Sequence, residues 1–119
     1  MDRVAVWIGD GVYERCVAGV VRAFERIMVE MVRVCPWMTG DDLEDLRRVL
    51  AAHMAMVGGE DVDVVRMADG LLRLAQRADE VGDRRRAWVF HDWYQWACAD
   101  VRGEEYHSPG FPEDLAAMP

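Results

Sequence analysis

The stretch LLRLAQRADEVGDRRRAWVFHDWYQWAC, from Leu71 to Cys98, decides the fold. Its first half places Leu71, Ala75 and Ala78 at helical spacing, with Leu72 beside them. Its second half is apolar at Val89, Phe90, Trp93, Tyr94, Ala97 and Cys98. Between them stand Gly82, suited to the left-handed turn that ends a helix, and Asp83, a good N-cap for the next one. A connection this short predicts an antiparallel pair of helices, over about 61–81 and 84–101.

Working towards the N-terminus, Thr39 is an N-cap, and Asp41, Asp42, Glu44 and Asp45 fill a first turn where the helix dipole favours acids. Leu43, Leu46, Leu50, His53 and Val57 then trace a seam, and Gly58-Gly59 ends it. His53 on that seam is expected to be at least half buried and hydrogen-bonded. A further helix is expected over Val12 to Val34, its apolar face formed by Cys16, Val20, Ala23, Phe24, Ile27, Met31 and Val34. Pro36 stops it. Opposite runs a row of Arg15, Arg22, Arg26 and Arg33, read as a solvated face with local ion pairs.

Residues 1–11 form an N-terminal arm in which Val4 to Ile8 suit either a strand or a helix. Residues 102–119 form a tail rich in turn formers, Ser108-Pro109-Gly110-Phe111-Pro112, with a last helical turn expected from Glu113 to Met118. A tail of this kind is ordered when it is tied down, with Tyr106 and Phe111 as anchors and Trp88 as receptor. The expected fold is therefore all-α. It is a compact bundle of four principal helices with short connections and an ordered C-terminal tail, in one domain of 119 residues.

Composition removes whole classes of chemistry. All 14 bases are Arg, since the chain has no Lys; it has no Asn, one serine (Ser108) and one threonine (Thr39). Without Lys there is no Walker-type phosphate loop and no Schiff base. Ser108, next to Pro109, lacks the strand-to-helix elbow of a hydrolase nucleophile. The net charge of −8 argues against direct binding to a phosphate backbone. An alphabet rich in Ala, Val, Gly, Arg, Asp and Glu matches a high-GC coding genome, such as that of an actinobacterium or its phage.

Cys16, Cys35 and Cys98 are scattered. The first two, about 28 Å apart on one helix, cannot bridge each other. No signal-peptide pattern opens the sequence and no apolar run is long enough to span a membrane. A reducing cytoplasm is the expected compartment. No Cys or His pair has zinc-ligand spacing, and no cofactor is expected.

Candidate contact residues lie around Trp88. On a helical wheel it falls outside the apolar arc of its own helix, on the polar side with Asp92, Gln95 and Ala99, and it follows Arg84-Arg85-Arg86. An exposed aromatic beside guanidinium groups has the composition of an interface anchor. The expected partner-binding residues are Trp88, Arg84, Arg85, Arg86 and Trp96, with Trp37 a further candidate. The three arginines also suit an anion site at a helix N-terminus.

Asp79-Glu80-Val81-Gly82-Asp83 followed by Val89-Phe90-His91 resembles a fragment of the MazG-type nucleotide pyrophosphohydrolases. That resemblance implies an all-helical, magnesium-dependent enzyme. Glu80 and Asp83 would form one carboxylate pair, and Asp41, Asp42 and Asp45 would stand where the family carries glutamates. Leu71 to Ala87 is also similar to half of a tetratricopeptide hairpin, which implies only that the two helices pair.

The expected function is non-catalytic protein–protein binding, as an adaptor, inhibitor or assembly subunit, with self-association as one form of it. Two alternatives are a metal-dependent nucleotide hydrolase using the five acids above and an acidic nucleic-acid mimic. The mimic would need Asp41, Asp42, Glu44, Asp45, Glu60, Asp61 and Asp63 on one face.

Overall fold

The structure, a computed structural model, describes the backbone of residues 12–116 and the side chains of residues 22–115. The expected arm, residues 1–11, lies outside the described residues, as do the side chains of Arg15, Cys16 and Val20. Four principal helices follow in order: α1 Val12–Val34, α2 Gly40–Val57, α3 Val64–Glu80 and α4 Arg84–Val101. A single turn, α5 Glu113–Ala116, ends the described chain. They pack as a compact all-α bundle, and the described residues contain no strand.

The α3–α4 pair makes the most extensive contact, followed by α2–α3. Antiparallel pairing follows from the turn: Val81 closes α3 and Gly82 adopts φ 81°. Asp83 then caps α4 by accepting the Arg86 N–H. Helix α3 supplies the centre of the core. Its Leu71, Leu74 and Ala78 are fully buried against Phe90 and Ala97 of α4 and Leu46 and Val49 of α2. Gly70 lets α2 approach closely, since a Cβ there would stand 3.1 Å from Val49 Cγ2.

Caps fix where the helices begin. Thr39 and Asp42 form a reciprocal capping box at α2, as two short polar residues three apart allow. Helix α3 begins at Val64, three residues later than its apolar pattern implies, because Asp63 turns its carboxylate to the Arg66 N–H.

Three faces differ from the helical-wheel reading. On α1 the side facing the core is Phe24, Met28 and Met31, while Ile27 is 40% exposed. The apolar arc of α1 is wider than the contact, so periodicity alone could not pick the part that packs. On α2 the seam stops short of Val57, which is 68% exposed beside the closing glycines. On α4 the end of the supposed polar side is covered. Ala99 is 3% exposed, at the end of the helix that Gly103 and the Glu104 N–H to the Ala99 carbonyl close.

The α1–α2 corner is tied to the hairpin by one bond: Trp37 Nε1 donates to Asp83 Oδ2 at 2.8 Å. Trp37, a candidate partner anchor from its sequence position, thus has an internal partner. Asp83→Ala should destabilise the protein by about 2–3 kcal/mol. About 1 kcal/mol comes from the lost cap, and the remainder from the lost charge-assisted hydrogen bond. Chemical denaturation of Asp83→Ala, Trp37→Phe and the double variant checks this, and the two substitutions should be clearly non-additive.

Candidate contact surface on helix α4

Trp88 and Asp92, one turn apart on α4, form the two anchor points of the C-terminal tail. Trp88 is mostly buried, and what covers it is Phe111, whose ring stands edge-on to the indole at 5.1 Å between centroids. The Arg85 guanidinium lies over the other side of that contact, 5.7 Å from the Phe111 centroid. Aromatic and Arg, the pair that composition marks as an interface anchor, therefore do meet an aromatic ring, and the ring belongs to the same chain. Trp88 is not the exposed side chain that its wheel position suggests.

One turn along, the Asp92 carboxylate accepts hydrogen bonds from the Tyr106 hydroxyl at 2.6 Å and from the Ser108 hydroxyl at 3.0 Å to each oxygen. Ser108 Oγ in turn accepts the Gly110 N–H, which shapes the turn before Phe111. The last anchor is Leu115 on α5, 6% exposed. It borders a groove of about 370 Å³ between α3 and α4, whose floor is Leu72, Ala75 and Ala87 and whose rim includes Arg84 and His91.

The Asp92 hydrogen bond pushes the Tyr106 phenol above its ordinary value, with desolvation and the Asp92 charge acting in the same direction. A phenol whose pKa is raised on folding stabilises the docked tail below its ordinary value and loses that contribution as pH rises through the folded value. Alkaline titration should therefore release the tail, seen as a change in Trp88 fluorescence at a pH above the usual tyrosine range. Tyr106→Phe should remove that transition.

The remaining sequence candidates are distributed as follows. Arg86 lies 3.7 Å from Asp83, a local pairing at the cap, and Arg84 is exposed on the groove rim. Trp96 is mostly buried and borders the core on another side of α4. With Trp93 it encloses His53, whose ring stands edge-on to both, at 5.3 and 6.2 Å. His53 is mostly buried as the seam predicts, yet its buried Nδ1 has no hydrogen-bond partner among the described residues. In place of the expected bond, two indole rings stand edge-on to the imidazole. His53→Phe should keep the ring contacts and remove the unmet polar atom. Its melting temperature should equal or exceed the parent's, and a marked drop would reveal a bond at the imidazole.

Four of the five acids of the hydrolase resemblance are engaged in caps or arginine pairs. Asp42 closes the Thr39 capping box with Arg77 Nε 3.5 Å away, and Asp45 takes a bidentate pair from Arg73. Glu80 faces Arg77, Asp83 holds Trp37 and the α4 cap, and Asp41 lies exposed in the first turn of α2. Among the described residues no three His, Cys, Asp or Glu side chains come together in a group able to hold a metal ion. The acids of the nucleic-acid-mimic reading do not share one exposed face either, since Asp42 is buried and Asp45 is partly covered by its arginine.

The tail contact at Asp92 is the element that sequence reasoning missed. Tyr106 was marked as an anchor, but Asp92 read only as a polar-face residue. Its signal was its place one turn after Trp88 on the same side of the helix. Compared with known proteins, the chain matches no family model, and neither a curated protein nor a solved structure matches it. No described helix is long and apolar enough to cross a membrane.

Proposed function

We propose that this protein works without catalysis, by binding another protein as an adaptor, inhibitor or assembly subunit, and that α4 carries the contact surface. The observation behind this reading is the Arg85–Phe111–Trp88 stack. It is an aromatic and a guanidinium holding a proline-flanked aromatic on a helix surface, which is the chemistry of protein–protein anchors. The occupied carboxylates add to it, because acids committed to caps and arginine pairs are poorly placed to gather around magnesium. Cys35 and Cys98 are unpaired thiols. Burial pushes the Cys35 thiol up, Asp83 adds to that and Arg86 opposes it. Both fit a reducing cytoplasm as the site of action.

The test is capture from extracts of the source cells with the full chain, Trp88→Ala and Trp96→Ala, each checked by melting. A partner retained by the parent should be lost from Trp88→Ala, with affinity weakened by about 2 kcal/mol or more. Magnesium-dependent hydrolysis of a nucleoside triphosphate that disappears in Glu80→Gln would overturn the reading in favour of the hydrolase.

A further inference from the structure

The tail is attached to α4 in the manner of a docked peptide. After the Glu104 N–H to Ala99 carbonyl bond, no backbone–backbone hydrogen bond ties residues 105–112 to the bundle among the described residues. What holds them is side chains: Tyr106 and Ser108 on Asp92, Phe111 between Arg85 and Trp88, and Leu115 at the α3–α4 groove. The connecting residues Arg102 to Glu105 are all exposed. Leu115 borders the groove, whose floor among the described residues is Leu72, Ala75 and Ala87.

We infer that this α4 surface is a peptide-docking site for a segment of a partner protein, and that the chain's own tail occupies it as a displaceable stand-in. This rests on the protein-binding reading above and names the partner's chemistry. The tail shows what the site selects: a hydroxyl donor for Asp92, then an aromatic ring for Trp88 and Arg85 in a proline-flanked, non-helical stretch, then an aliphatic side chain for the groove. A tethered segment acts at an effective concentration in the millimolar range. A partner segment must therefore bind better than the tail through the same three anchor points.

A fluorescently labelled peptide with the sequence of residues 104–116 tests this on full chains. The parent should bind it weakly, because its own tail competes. Phe111→Ala, whose tail has lost its central anchor, should bind at least ten-fold tighter. Adding Trp88→Ala to that variant should abolish binding, with circular dichroism showing that both variants remain folded. Tyr106→Phe provides a milder opening and should fall between parent and Phe111→Ala. Equal affinity of parent and Phe111→Ala, or no binding to either, would overturn the inference. It would leave the broader binding reading to the capture experiment and to Trp96.

Discussion

The bundle turns on one carboxylate. Asp83 stands between α3 and α4, where its Oδ1 accepts the Arg86 N–H in the first turn of α4 and its Oδ2 accepts the Trp37 indole. The first bond starts the helix that carries Trp88, Asp92, Trp93 and Trp96. The second brings in the corner between α1 and α2. Without it, the only extensive contact of α1 among the described residues is with α2. The hairpin and the α1–α2 corner thus share an anchor at the turn whose brevity already forces the chain to reverse, while α2 also packs directly on α3.

Much of this architecture was legible because helix ends carry local chemistry. Thr39 with Asp42, Gly82 with Asp83, and Pro36 each act within a few residues, so their meaning does not depend on the rest of the fold. The buried face of α3 was legible for a related reason. Packed on two sides, by α2 and α4, it needs a broad apolar stripe and shows one. Helix α1 was less legible. Its arc of aliphatic residues exceeds what one neighbour covers, and the choice of Met28 over Ile27 is made by tertiary contact. The pairing of Trp37 with Asp83 spans 46 residues, a separation at which no pattern in the chain points from one to the other.

The candidate site divides in the same way. That Trp88 departs from the phase of its helix is a local fact, and it marked the right place. What lies over it is not local. Helical periodicity assumes that each helix has one wet side, and α4 has less of one than its sequence implies, because the reversal at Gly103 lays the tail along it. Asp92 and Trp88 read as solvent-facing on the wheel, and both meet the returning chain.

A tail held in this way carries little stability for the number of residues it orders. Fixing each residue costs about 1–2 kcal/mol of backbone entropy, and the extended part from Glu105 to Pro112 recovers none of it through a backbone ladder to the bundle. Two aromatic side chains, one serine and one leucine have to offset the ordering of the whole segment. The contacts of Tyr106, Ser108 and Phe111 are with Asp92 and Trp88, side chains that a helix could have left in water at little cost. A chain selected for stability alone would gain more by making that face of α4 polar and omitting the tail. On the binding reading proposed above, Trp88 against the phase of its helix and a complementary segment that covers it would keep a contact surface shielded from solvent between contacts.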